Sequence, residues 1–281
     1  MYRKVLFIII TMLFACAKNE NYTWVHSLPK PWTLSEKDFD YYLPLFRKKY
    51  PQFNSRLTAL NLWRVGTPYG IFCLGEESGF DQDPIIRFDT SDCTVHVLTT
   101  IALAESSSWE QAKDEMINIH YKPDINGNKK PTYKSRWHFT LDRLMYNPAT
   151  VDMTSRVVEN KPLENINIEL NKKEDGSQFL DLDWTSKENI SYISTKFVDH
   201  SMLQRLPPVC GVAFVKESYF NKGIVVAHEG YIINKVNLIH ASREQKKTVN
   251  VDFMAYLINN GKPRFDGVIF YEIVERDIYE I

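Results

Sequence analysis

The stretch "RFDTSDCTVHVLTTIALAE", Arg87 to Glu105, places Cys93 directly after Ser91 and Asp92, at the head of an apolar run. The run is about three helical turns long. A cysteine works as a hydrolytic nucleophile when it can ionise, when a base lies within hydrogen-bond reach, and when a third polar group orients that base. A helix start favours ionisation, because its unpaired amides and dipole stabilise the thiolate. Ser91 or Asp92 can cap such a helix. Asp92 also opposes the thiolate, since a neighbouring carboxylate disfavours a second negative charge. The base must therefore do much of the activation. A lone cysteine in such a place is more often a packing residue, so its partners decide.

The chain has seven histidines. His26 lies in a polar N-terminal stretch, and His120 and His200 end or follow polar segments. "VVAHEGYII" places His228 inside an alternating strand pattern, and "VNLIHAS" places His240 at the end of the next short strand. Asn234 and Lys235 can close the two into a tight hairpin. On adjacent antiparallel strands two histidines can meet, one holding the other in the required tautomer. The same residues with an acid could ligate zinc, but no His-Glu-x-x-His motif or comparable cluster accompanies them. No metal or organic cofactor is expected.

These residues need a scaffold, and the pattern along the chain describes one. The N-terminus "MYRKVLFIIITMLFACAKNE" has basic Arg3 and Lys4, an apolar run from Val5 to Phe14, then Ala15 and Cys16, the layout of a secretory signal. The run is short of the roughly 20 residues needed to span a bilayer. Leu13 to Cys16 resembles a bacterial lipobox, which implies cleavage before Cys16 and lipidation of its thiol. Ala17 then favours the outer membrane, with the domain in the periplasm. Removing Cys16 from the four cysteines leaves Cys73, Cys93 and Cys210, an odd set without Cys-x-x-Cys spacing. A Cys73–Cys210 bridge is possible but is not fixed by spacing.

Residues 1–16 are thus expected as a signal, 17–32 as a tether and 33–281 as one domain. Ser35 with Asp38, and Ser108 with Gln111, suit capping boxes at helix starts. Pro44 should kink or divide the first of these helices. Further helices are expected at Ser55–Arg64, at Cys93 and at Thr132–Asn147. After about Ser155 the period changes: "SRVVEN", "NINIELN", "ISYISTKFV", "GVAFVKE", "VVAHEGYII", "VNLIHAS" and "DGVIFYEIVE" read as strands. One late helix, at about Val251–Asn259, interrupts them. Helices first and strands afterwards indicate an α+β fold with an antiparallel sheet. A composition of 44% hydrophobic and 25% charged residues supports a sizeable core, and a net charge of −1 argues against a nucleic-acid partner.

A cysteine on an early helix followed by histidines on a late sheet is the chain order of papain-like hydrolases. "GTPYG", "GEESGF" and "SDCTVHVLTTIALA" resemble the opening of the NlpC-type cell-wall peptidase superfamily, and "AHEGYII" with "NLIHAS" resembles its histidine strands. "YKSRWHF", "VDMTS" and "LIHAS" look like its N-acetylmuramoyl-L-alanine amidase-like branch. The resemblance implies a papain-like fold with Cys93 as nucleophile, His228 as general base and acid, and His240 as orienting residue. It also implies that Tyr69 lies beside the nucleophile, and that Arg136 and His138 contact substrate. The implied substrate is peptidoglycan or a muropeptide, cut between N-acetylmuramic acid and L-alanine by a monomeric enzyme.

The branch usually carries an aromatic residue and a Glu where this chain has His96 and Leu98. Glu229 also replaces an expected apolar residue, and strand alternation should turn it from the catalytic face. A stem-peptide endopeptidase, a zinc amidase and a silent cell-wall-binding lipoprotein are the alternatives.

Overall fold

The computed structural model describes residues 22–276; the apolar leader and Cys16 lie outside them. Among the described residues no helix is long and apolar enough to cross a membrane. The first half is helical: α1 (Thr23–Ser27), α2 (Glu36–Lys49), α3 (Phe53–Trp63), α4 (Cys93–Glu105), α5 (Trp109–His120) and α6 (Thr140–Tyr146). Ser35 and Asp38 form the reciprocal capping box of α2, with the Ser35 N–H donating to Asp38 Oδ2 at 2.7 Å. Pro44 does not divide α2. Leu43 and Phe46 beside it are fully buried, and tertiary packing outweighs the lost helical hydrogen bond.

Residues 22–32, expected as part of a tether, are folded onto the helical layer. Val25 is buried, Trp24 meets Phe46 edge-on at 5.0 Å, and Trp63 Nε1 donates to the Pro29 carbonyl at 2.8 Å. The aromatic residues dispersed through a polar stretch supply enough apolar surface to dock it. The helix expected over Thr132–Asn147 is also divided. A turn at Tyr133–Ser135 is closed by reciprocal Thr132–Ser135 bonds. Beyond it the Trp137 N–H turns to the His120 carbonyl at 2.8 Å, so the chain runs extended until α6. Arg136 and His138 therefore stand on an extended segment.

The second half builds one antiparallel sheet. Its strands are β1 (Thr150–Asp152), β2 (Glu164–Leu170), β3 (Ser186–Ser194), β4 (Val209–Val215), β5 (Val226–Ile233), β6 (Asn237–Ser242), β7 (Lys247–Asp252) and, after the two-residue hairpin β8 (Ile258–Asn259) and β9 (Lys262–Pro263), β10 (Gly267–Ile273). The order is β2-β3-β10-β4-β5-β6-β7, with β1 also pairing β10. "SRVVEN" was expected as a strand, but Thr154–Val157 is a short helix. The late helix is confined to Phe253–Leu257, where the Asp252 side chain caps it; the valines before it belong to β7.

Both faces of the sheet are covered, so β4 is buried along its whole length. Tyr231, Ile233, Ile239 and Tyr271 face the helices; Val212, Phe214, Ile232 and Phe270 form a second core on the other side. Helix α4 lies between α3, α5 and the sheet, and every residue from Val95 to Glu105 is buried. An apolar surface all round suits that central place. The architecture is α+β, with N-terminal helices on a C-terminal antiparallel sheet.

Candidate active site

Asp92 makes the start of α4. Its Oδ1 accepts the Val95 N–H at 2.9 Å, and its Oδ2 accepts the Phe72 N–H at 3.0 Å, so one carboxylate caps the helix and pins the preceding loop. Burial raises its pKa, and those two amides pull it back. The "GTPYG" segment is stitched between this helix start and the sheet edge. The Ser91 N–H donates to the Pro68 carbonyl at 2.9 Å, the Tyr69 N–H to the Lys246 carbonyl at 3.0 Å, and the Thr248 N–H to the Thr67 carbonyl at 2.8 Å. Tyr69 is thereby fixed near Cys93; desolvation and then the Cys93 charge raise its pKa.

Cys93 is partly exposed. Desolvation pushes its thiol up to about 12, helped by the carboxylates of Asp92 and Glu229 and opposed by the Glu229 backbone and the Thr94 side chain. The thiol thus rests over the backbone of β5 at Glu229. Among the described residues the Cys93 N–H makes no hydrogen bond, as expected of a first-turn amide.

His228 follows an irregularity in β5. Phe214 pairs with His228 and Val215 with Val226, leaving Ala227 as an extra residue, and such bulges re-aim the side chains beside them. His228 Nε2 meets His240 Nδ1 at 2.8 Å. The contact is diagonal, because Gly230 lies against His240. A Cβ on Gly230 would stand 2.9 Å from His240 Cβ and 2.8 Å from the Ile239 carbonyl. Asn234 and Lys235 both have positive φ in the connecting turn, which the Val236 N–H closes onto the Ile233 carbonyl. Desolvation, with the neighbouring His240, lowers His228 to about 3, and desolvation lowers His240 to about 4. Tyr256 covers His240 at 4.4 Å between ring centres. Both imidazoles are neutral at pH 7.

Glu229 turns to the opposite face, as strand alternation requires. There it is completely buried and ion-pairs with Arg143, while Tyr271 Oη donates to it at 3.0 Å and Thr140 Oγ1 at 3.2 Å. Burial pulls the Arg143 pKa down, but Glu229 outweighs it and holds the guanidinium charged.

Cys93, His228, Tyr69, Arg136 and His138 line one cavity of about 780 Å³; His240 stands behind His228. Arg136 is already engaged, by Glu76 at 2.8 Å and Asp81 at 3.0 Å. Its charge ties the 70–92 loop to the 121–136 segment and is not free for an acidic ligand. His138 Nε2 contacts the Tyr133 carbonyl at 2.6 Å, and desolvation lowers its pKa to about 4. His96 is fully buried, bonded through Nε2 to Asn61 Oδ1 at 3.0 Å and edge-on to Tyr231 at 5.9 Å. It packs as an aromatic residue would. Cys73, Cys93 and Cys210 are free thiols; Cys210 lies in the second core and Cys73 on the cavity, so no bridge joins them. Among the described residues no three His, Cys, Asp or Glu side chains converge as metal ligands would.

Sequence reasoning missed Arg143, the second role of Asp92, and Arg243, which also lines the cavity. The unpredicted β7 was the signal that would have placed Arg243 in a turn beside Tyr69.

This is the arrangement of an amidase-like α+β protein. The model of the AmiA-like, N-acetylmuramoyl-L-alanine amidase-like family matches residues 61–263, which span every residue of the cavity discussed above. The chain belongs to that family. Among solved structures it is similar to a Legionella pneumophila protein of the DUF1460 family, 21% identical over 85% of this chain and 95% of that one, with a TM-score of 0.69. It is also similar to an N-acetylmuramoyl-L-alanine amidase from Bacteroides uniformis, 20% identical over 79% and 99% of the two chains, with a TM-score of 0.60. A Bacteroides fragilis protein named as a candidate xylanase is 19% identical over 76% and 99%, with a TM-score of 0.58. At these identities the likeness is one of fold. No curated protein matches the chain.

Proposed function

We propose that the protein is a papain-like, NlpC-type cysteine amidase that hydrolyses the bond between N-acetylmuramic acid and L-alanine in peptidoglycan or its fragments. The observation that carries this reading is the His228–His240 bond. His228 Nε2 stands 2.8 Å from His240 Nδ1; with the proton of that bond on His228 Nε2, Nδ1 is left unprotonated, as a base. His228 and Cys93 open onto the same cavity. Family membership supports the amide bond as substrate.

The chemistry follows from the resting charges. Thiol and imidazole are both neutral, so the Cys93 proton passes to His228 Nδ1 as Sγ attacks the lactyl carbonyl. The oxyanion is met by the free Cys93 N–H and the Tyr69 hydroxyl. The C–N bond then breaks, the peptide amine leaves with the proton from His228, and a thioester remains. Water gives a proton to His228 Nδ1 as it attacks the thioester; the tetrahedral adduct then breaks its C–S bond, His228 returns that proton to Cys93, and the lactyl carboxylic acid released ionises in solvent. The steps use side chains, one backbone amide and water, and the enzyme acts as a monomer without metal or cofactor.

The test is digestion of defined muropeptides with mass analysis, run beside Cys93→Ala and repeated with a chelator. An intact peptide beginning with L-alanine is expected. A dipeptide left on the sugar would instead identify a stem-peptide endopeptidase. We also propose that Cys16 carries a lipid that holds the enzyme at the periplasmic side of the outer membrane. The sequence Leu13 to Ala17 supports this, and release from the membrane fraction in Cys16→Ser checks it.

A further inference from the structure

The cavity is lined by several basic side chains, but most carry no available charge. The guanidinium of Arg136 is held by Glu76 and Asp81, and burial keeps His138 and His228 neutral. Arg243 differs. It is exposed, it lines the cavity, and none of the ion pairs or side-chain hydrogen bonds among the described residues involves it. The backbone that carries it is nevertheless fixed. It opens the turn between β6 and β7, where the Gln245 N–H donates to Ser242 Oγ at 3.1 Å and the Lys246 carbonyl accepts the Tyr69 N–H at 3.0 Å. Pro68 bridges Lys247 in the same stitch, and Tyr69 bridges Ser91. The base of this side chain is therefore held at a fixed place relative to Tyr69 and to the start of α4, two residues after Ser91. Of the charges that act on Cys93, Asp92 and Glu229 are negative, and Glu229 is itself neutralised by Arg143.

Resting on the amidase reading, we propose that Arg243 is a specificity residue that binds a free carboxylate on the peptide side of the scissile amide. The enzyme then selects acidic muropeptides over their amidated counterparts. A guanidinium can take a carboxylate with two parallel N–H bonds, which fixes the peptide as well as attracting it. In a stem peptide the carboxylate comes from the second residue or from the C-terminus, and the two are distinguishable.

The test uses the full chain and three muropeptides: one with both carboxylates free, one amidated at the second residue, and one amidated at the C-terminus. For wild type, kcat/KM should fall about tenfold to a hundredfold on amidation of the recognised position. Arg243→Ala should bring that ratio close to one, and Arg243→Lys should restore part of it. A mere folding defect would lower all three rates together and leave the ratio. An unchanged ratio in Arg243→Ala, or no preference in wild type, overturns the proposal while cleavage itself upholds the amidase reading. If no substrate is cut, that reading fails, and calorimetric Kd ratios for the same ligands on Cys93→Ala with and without Arg243→Ala still decide the role of Arg243.

Discussion

Two adjacent residues of β5 carry polar pairs to opposite faces of the sheet, and the pairs differ in charge. His228 meets His240 on one face as two neutral rings. Glu229 meets Arg143 on the other as two ions sealed from water. A sealed ion pair resists separation, because removing one partner strands a buried charge. A neutral pair can gain and lose a proton without leaving a stranded ion. The fold thus places a charged pair on one face of β5 and a neutral pair on the other, and in the proposed mechanism it is the neutral pair that moves the proton.

Equal loss of turnover from substitutions on either face would erase the division of labour between them. Cys93→Ala and His228→Ala should each reduce kcat/KM by about 10⁴- to 10⁶-fold with near-unchanged thermal unfolding. Arg143→Met should act in the opposite way, costing about 3–5 kcal/mol in denaturant unfolding. Pairing it with Glu229→Gln should restore part of the loss. Retained stability in Arg143→Met alone would defeat the structural role.

His240→Ala should lower kcat by about tenfold to a hundredfold, since it frees the His228 ring and tautomer while leaving the base in place. His240→Asn should recover part of it. At the low end, Ser35→Ala should cost about 1 kcal/mol through the α2 cap and leave the pH profile of turnover untouched.

Protonation sharpens the comparison further. The folded-state values of His228 and His240, about 3 and about 4, lie below the ordinary histidine value near 6.5. Between those limits the unfolded chain binds more protons, so stability should rise with pH and be lost as pH falls from 6.5 toward 4. Asp142, raised to about 6 by burial, works against this and softens the slope. Unfolding free energies across that window, with His228→Asn/His240→Asn giving a flatter line, check the sign. Iodoacetamide labelling of Cys93 should stay slow at pH 7 and climb only toward alkaline pH; a plateau near pH 6 would mean a resting thiolate.

Much of this site was legible in the chain. Asp92 before an unbroken apolar run defined α4 and its cap, and two alternating segments around Asn-Lys defined the hairpin that joins the histidines. Those signals are local, and local chemistry enforces them. What was not legible depends on partners distant in sequence. Arg143 looks like the polar face of a helix until Glu229, 86 residues away, is found against it. Arg136 invites a ligand until Glu76 and Asp81 are seen to occupy it. The tether reading of residues 22–32 failed because averaged polarity concealed individual aromatic anchors. β7 was missed because "KTVNVD" is short and half polar, and with it went the turn that carries Arg243.

The carboxylates flanking Cys93 have one further consequence, for chemical endurance. Thiolates attack peroxides and disulfides far faster than thiols do, and each oxidation past sulfenic acid is permanent. A thiol held protonated by desolvation, and then by Asp92 and Glu229, is poor prey for them. In the proposed mechanism its reactivity exists only for the duration of a proton transfer to His228, and between substrates such a thiol would age slowly.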